Sequence, residues 1–286
     1  MNELRKPAVS GQFYESNSER LKKQIESCFL HSLGPKKLFK KGMLKSNIGM
    51  IVPHAGYFFS GACAANAYFE LAKYNPELVV LMGPGHTGMS NFDFSVSFKD
   101  FETPLGIVKN DKEISLEIVK KTEARQDEQA HEHEHSLEVQ LPFLQSVLNN
   151  FKIIPLIIST QDYEKCKKFA LDLFKILEKK NFVIITSSDF THYGQNYNFL
   201  PFQVNRNFQE KLYSLDKKII NKILKLDSKS FFDEASKSTV CGLSPIVVVI
   251  EICKLLKKKA KLLKYYTSAD IIKGDNAVGY ASVLFS

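Results

Sequence analysis

Apolar residues fall along this chain in two rhythms. Short unbroken runs at 48–52, 78–82, 153–158 and 182–186 read as strands buried on both faces. Between them, apolar residues recur three and four apart, the spacing of helices that lie on a sheet. Ser18 predicts a helix start, with Leu21, Ile25, Cys28 and Phe29 on one face. Ser60 predicts the cap of an alanine-rich helix over 61–73, and Asp111 the cap of one ending near Lys121. Thr160 or Asp162 opens a helix whose stripe is Cys166, Phe169, Ala170, Leu173, Phe174 and Leu177. Two helices fill 201–235. Ser244-Pro245 reads as a cap and first-turn proline of a helix to about Lys258. Residues 94–98 alternate and read as a strand, and 262–268 and 277–285 as two more, joined through Gly274-Asp275-Asn276. The polar stretch 122–130 leads into 131–148, where the helical pattern resumes.

Strands alternating with amphipathic helices predict an α/β fold with a sheet covered on both faces. In such folds sites form at the carboxyl ends of strands. No linker, repeat or low-complexity segment divides the 286 residues, so one domain over 1–286 is expected. With 44% hydrophobic residues the chain can build a large core, which excludes disorder. The first residues lack an apolar signal segment, and the longest unbroken apolar stretch, 246–250, is far short of the ~20 residues that span a bilayer. A soluble, cytoplasmic protein with no membrane partner is expected. Five scattered cysteines without CxxC spacing argue against a disulfide framework or zinc finger. The net charge of +8 is carried by lysine, with only four arginines. Its clusters at 36–45 and 254–264 lack the arginine and interleaved aromatics of nucleic-acid grooves. They read as solvated surface and helix ends, and no nucleic-acid partner is expected.

Candidate chemistry sits where the strands end. The strand at 48–52 runs into Pro53-His54-Ala55-Gly56, that at 78–82 into Gly83-Pro84-Gly85-His86-Thr87-Gly88, and that at 182–186 into Asp189 and His192-Tyr193-Gly194. One histidine at a strand end is ordinarily a packing or capping residue. Three at equivalent positions, each near glycine, converge. Cys241, just before the helix at Pro245, is the fourth candidate. There a helix end would lower its pKa and favour thiolate; the plain alternative is a buried structural cysteine. Two imidazoles and a thiolate suit zinc, copper or iron with open positions for substrate. Asp189 either accepts a hydrogen bond from the His192 ring or caps a turn.

Two look-alike motifs carry less. Gly83 to Gly88 fits G-x-G-x-x-G, but a strand rather than a helix is expected next, against a dinucleotide site. His131-Glu132-His133-Glu134-His135 fits H-E-x-x-H, but Pro142 follows too soon for the long helix of a metalloprotease. That cluster either lines the main site through Glu134 or His135, or is a solvated helix start.

The segments PHAGYFFSGACAANAY, GPGHTG, EHSLEVQLPFLQ, SSDFTHYG, STVCG and DNAVGYAS, in this order, resemble the Memo family, which includes the AmmeMemoRadiSam system protein B. The resemblance runs from about Lys6 to Ser286. It implies the fold of class III extradiol ring-cleaving dioxygenases, a three-layer αβα sandwich around a mixed sheet. It implies metal positions at His54, His86 and Cys241, an acid/base position at His192, and Asp189 in the same motif. It implies redox chemistry with copper or iron, and radical-SAM system partners. The dioxygenases hold iron with two histidines and a carboxylate; Cys241 is a softer ligand that favours copper or zinc and is itself oxidisable, which argues against ring cleavage.

Three functions follow as expectations. The first is a metal-dependent oxidoreductase acting on a small-molecule substrate. The second is a non-catalytic peptide- or protein-binding module using the same cleft, with Tyr57 and His192 as contacts. The third is a zinc hydrolase with a metal-bound water.

Overall fold

The computed structural model describes residues 4–203 and 207–286. It begins with β1 (Leu4–Arg5), α1 (Ser18–Leu30), β2 (Ile48–Val52), α2 (Tyr57–Leu71) and β3 (Leu78–Gly83). Three short strands follow: β4 (Phe94–Val96), β5 (Asp100–Thr103) and β6 (Gly106–Val108). Then come α3 (Lys112–Lys121), β7 (Arg125–Gln126), α4 (Glu128–Glu132), α5 (Leu141–Val147) and β8 (Lys152–Ile158). The second half holds α6 (Tyr163–Leu177), β9 (Phe182–Ser187), β10 (His192–Tyr193), α7 (Phe208–Leu224), α8 (Ser228–Ala235), α9 (Leu243–Leu255), β11 (Ala260–Thr267) and β12 (Ala277–Phe285). Residues 204–206, inside the stretch read as helical from Pro201, lie outside the described residues.

Nine strands form one open mixed sheet in the order β10-β12-β2-β9-β3-β8-β4-β7, with β11 paired to β12. The central four, β2, β9, β3 and β8, are mutually parallel. β12 runs antiparallel to β2, and β4 antiparallel to β8. The apolar runs alternate between two cores, as the strand period of two requires. In β3, Leu78, Val80 and Met82 join the core beneath α6, α8 and α9, while Val79 and Leu81 join the one beneath α1, α2 and α5. The mixed α/β sandwich expected from the sequence is therefore present. The parallel strands end nearly flush, with Val52 opposite Ser187 and Met82 opposite Thr186, so the loops after β2, β3 and β9 open on one rim.

Three helix starts differ from the sequence reading. Asn17, not Ser18, caps α1 by accepting from the amides of Glu19 and Arg20. Ser60 lies inside α2, one turn past its start; its hydroxyl donates back to the Ala55 carbonyl at 2.8 Å. Ser244 lies in the first turn of α9 and donates to the Thr160 carbonyl. In the last two cases a hydroxyl near a helix start has a partner other than the amides it was expected to cap. A small second sheet, β1-β5-β6, was not foreseen.

Candidate functional site

His54, His86, Asp189, His192 and Cys241 all line one cavity of about 520 Å³ at the carboxyl rim of the sheet. His135 joins them, and Phe13, Phe59, Tyr197, Val278 and Tyr280 supply apolar wall. One ligand atom from each of His54, His86 and Cys241 lies within 4.8 Å of the others. The rings of His54 and His86 are 4.9 Å apart, and His135 is 4.5 Å from His86.

Hydrogen bonding sets three of these imidazoles, His54, His86 and His192, in the same tautomer. Ser187, the last residue of β9, donates its one proton to the Ser136 carbonyl at 2.6 Å and accepts from the Gln140 amide at 2.8 Å. Toward His54 Nδ1, 3.1 Å away, its oxygen can only accept, so Nδ1 carries the proton. The buried Glu134 carboxylate accepts from His86 Nδ1 at 2.9 Å and from the His86 backbone amide. His192 Nδ1 faces the carbonyls of Phe190 at 3.0 Å and Thr239 at 3.2 Å, which only accept. All three rings therefore hold Nδ1–H, so each neutral ring carries its lone pair on Nε2, the form in which an imidazole binds a metal or takes a proton.

Burial holds His54 well below the usual histidine range, reinforced by His86, His135 and His192. His135 is lowered to about 4, chiefly by burial. Glu134 stays ionised, lowered to about 2: its hydrogen bond to His86 and the nearby imidazoles outweigh its burial. Cys241 reverses an expectation. It is half-buried, and burial with the Asp189 charge pushes its thiol up rather than down. The first turn of α9 starts at Leu243, and the Gly242 amide is taken by Ser188 Oγ at 2.9 Å. The helix end thus does not control this thiol; a bound cation is what would favour thiolate here.

Asp189 does not fix the His192 ring, whose Nδ1 proton goes to carbonyls. Its Oδ1 accepts the His54 amide at 2.8 Å, and its Oδ2 lies 4.0 Å from His54 Nε2. Cys241 Sγ stands 3.9 Å from both His192 ring nitrogens. Tyr57, named above as a cleft contact, is buried under α5 with its hydroxyl on the Val139 carbonyl at 2.6 Å.

The HEHEH segment is divided. Glu134 and His135 belong to the site, His133 is exposed, and His131 is buried elsewhere, with its Nε2 3.2 Å from the Ser95 carbonyl. The short α4 ends at Glu132, too early for a metalloprotease helix. The segment can pack this closely because β3 ends in Gly83: a Cβ there would stand 2.6 Å from Ser136 Oγ. Residues 84–93 after it form no helix, unlike a dinucleotide loop. Ser187, Gln140 and Thr239 escaped the sequence reading. Gln140 carried a signal, a polar residue that with Glu138 interrupts the run LEVQLPF, but its partner lies 47 residues away.

Burial of His131 sets a pH response. Its ring is lowered from 6.5 to about 4, so the unfolded chain binds the proton first. The stability of the neutral ring is complete above pH 6.5 and is lost as pH falls through 4, at about 1.4 kcal/mol per pKa unit. Chemical denaturation between pH 7 and pH 4 should show this decline. His131→Gln, whose amide can still reach the Ser95 carbonyl, should make it shallower by the His131 share, leaving the part due to the buried His54 and His135; an unchanged slope would refute the assignment.

Among the described residues no helix is long and apolar enough to cross a membrane. A family model described as Memo-like protein matches residues 5–284. A MEMO1 family protein of Sulfolobus acidocaldarius is 42% identical, with 99% of each chain covered. One of Saccharolobus solfataricus is 39% identical over 98% of this chain and 99% of its own. The crystal structure of an uncharacterized protein from Escherichia coli K12 has a TM-score of 0.50 at 9% identity, covering 84% of this chain and 99% of that one, a likeness of fold. With the family model spanning nearly all its residues, and relatives of about this identity along its whole length, the chain belongs to the Memo family.

Proposed function

We propose that the protein is a metal-dependent oxidoreductase in which His54, His86 and Cys241 hold iron or copper and His192 moves a proton. The observation that supports this reading is the shared tautomer: three imidazoles in one cavity, each with Nδ1–H donated away and Nε2 left as the base. Two imidazole nitrogens and a thiol sulfur form a donor set that fits iron, copper or zinc. Iron or copper there supplies electron exchange with an oxidisable small molecule. The chain does the rest. Ser187 and Glu134 orient the two ligand rings. Asp189 holds the His54 backbone and places negative charge beside the ligands. His192 accepts or returns a proton at Nε2. The apolar wall suits an aromatic or similarly apolar substrate.

Metal content after purification without oxygen tests the reading, followed by a screen of oxidisable substrates. Stoichiometric zinc with chelator-sensitive esterase or amidase activity would favour a hydrolase. Metal-free protein that binds peptides in this cleft would favour a binding module.

Glu134→Gln gives a finer test. Glu134 accepts three N–H donors, from the His86 ring, the His86 amide and the Ser136 amide. A glutamine turns one acceptor into a donor facing donors. Metal affinity should fall roughly 10–100-fold, the usual cost of losing a ligand's hydrogen-bond partner. Wild-type affinity in a competition titration would remove Glu134 from the metal site.

A further inference from the structure

We propose that Asp216, on α7, is a positioning residue that holds segment 190–192 so that the Phe190 carbonyl keeps the His192 ring in its Nδ1–H tautomer. The inference rests on the reading of His192 as the site's base. Asp216 is fully buried. Its Oδ1 accepts from Thr191 twice, from the hydroxyl at 2.5 Å and the amide at 3.3 Å. Its Oδ2 accepts from the Tyr265 hydroxyl on β11 at 2.6 Å.

Room for this carboxylate is made by Gly279 on β12: a Cβ there would stand 2.1 Å from Asp216 Oδ2. Gly279 also brackets the same segment, its carbonyl accepting from the Phe190 amide at 2.8 Å and its amide donating to the Thr191 carbonyl at 3.0 Å. Thr191 is thus clamped from the helix side by Asp216 and from the sheet side by Gly279. The residues flanking it bear on the ring directly. Phe190 supplies the carbonyl that accepts from Nδ1, and His192 begins β10, paired to Val278. Thr239 completes the cradle: its hydroxyl accepts from the His192 amide at 2.7 Å and donates to the His192 carbonyl at 2.8 Å. Burial pushes Asp216 up to about 6 despite its three hydrogen bonds, so the fold keeps a poorly solvated carboxylate where a neutral residue would pack at lower cost. A role in fixing its neighbours accounts for that choice.

The test reads the rings themselves, in metal-free protein labelled with ¹⁵N-histidine. Its outcome is independent of metal binding and of turnover. Wild type should show His54, His86 and His192 as Nδ1–H. Asp216→Ala should leave His192 sampling both tautomers, its ring proton exchanging up to about tenfold faster, as loss of a hydrogen-bond partner worth up to about 1.4 kcal/mol implies. His54 and His86, held by Ser187 and Glu134, should not change. Asp216→Asn should restore the wild-type spectrum, because one amide oxygen can take both Thr191 donors while its NH₂ turns to the Tyr265 oxygen. If Asp216→Ala does not fold, Thr191→Val, nearly isosteric and lacking the hydroxyl, decides from the other end of the contact. A His192 signal that stays wild-type in a folded variant would overturn the proposal. So would equal changes in all three histidines, which would mark Asp216 as general support for the fold.

Discussion

Cys241→Ser and His54→Ala proteins are expected to emerge from purification without oxygen free of iron and copper, while wild type carries about one equivalent. The loss should exceed the roughly 100-fold that removal of an outer hydrogen-bond partner can cost, because each change removes a donor atom. Serine offers a hydroxyl that stays protonated near neutral pH and is a poor ligand for soft metals. Alanine at 54 offers nothing. Both variants should stay folded, because the surrounding network closes without the lost atom. Asp189 still accepts the amide of residue 54, and Ser187 keeps its bonds to Ser136 and Gln140. Cys241 is half-exposed to the cavity, where water can replace a thiol. A folded His54→Ala protein that keeps stoichiometric metal would refute the ligand assignment. Metal lost from His54→Ala but kept by Cys241→Ser would move the third ligand elsewhere, and among the described residues His86, Glu134 and His135 form a second group close enough to supply it.

What the sequence made legible follows from how local each signal is. The four central strands were readable to within a residue, because a strand buried on both faces has no polar interruption until it ends. Their histidine-bearing loops were readable for the same reason: parallel neighbours end on one side, so strand-end residues meet. Helix starts were less legible. Ser18, Ser60 and Ser244 each looked like caps, but which nearby group a hydroxyl bonds depends on tertiary contacts. The HEHEH segment left two readings open because its partners are distant. Arg5 and His86, which explain the burial of Glu138 and Glu134, lie 133 and 48 residues away. β1, two residues long, has no periodicity to read; it pairs with β5, and its Arg5 side chain is anchored on the distant Glu138. The thiol acidity was misread because it was argued from a helix end alone, whereas burial and Asp189 govern it.

That anchor gives the largest expected change in stability. Arg5 and Glu138 form an ion pair that is almost wholly buried. Removing one partner from such a pair typically costs roughly 3–5 kcal/mol, because the other charge stays buried without compensation. Urea denaturation of Arg5→Met and of Glu138→Gln should show losses of that order. A double variant, Arg5→Met with Glu138→Leu, separates this network from an ordinary buried pair. Replacing both partners of a simple pair with apolar residues is often neutral or stabilising. Here Glu138 also accepts from the amides of Ala8 at 2.7 Å and Val9 at 3.0 Å, and from the Tyr14 hydroxyl at 2.6 Å. Arg5 also donates to the carbonyls of His131 at 3.1 Å and Glu134 at 2.6 Å. The double variant strands all of these, so it should stay destabilised; recovery to wild-type stability would show that only the charges mattered. The same contacts join stability to the site. They stitch residues 5–14 to the segment carrying Glu134 and His135, and the Phe13 ring packs edge-on against His135 at 4.9 Å as part of the cavity wall. Weakening the Arg5–Glu138 pair should therefore raise hydrogen exchange in 5–14 and 131–138 before the central strands respond. Uniform loss of protection along the chain would mean that the segment has no separate opening.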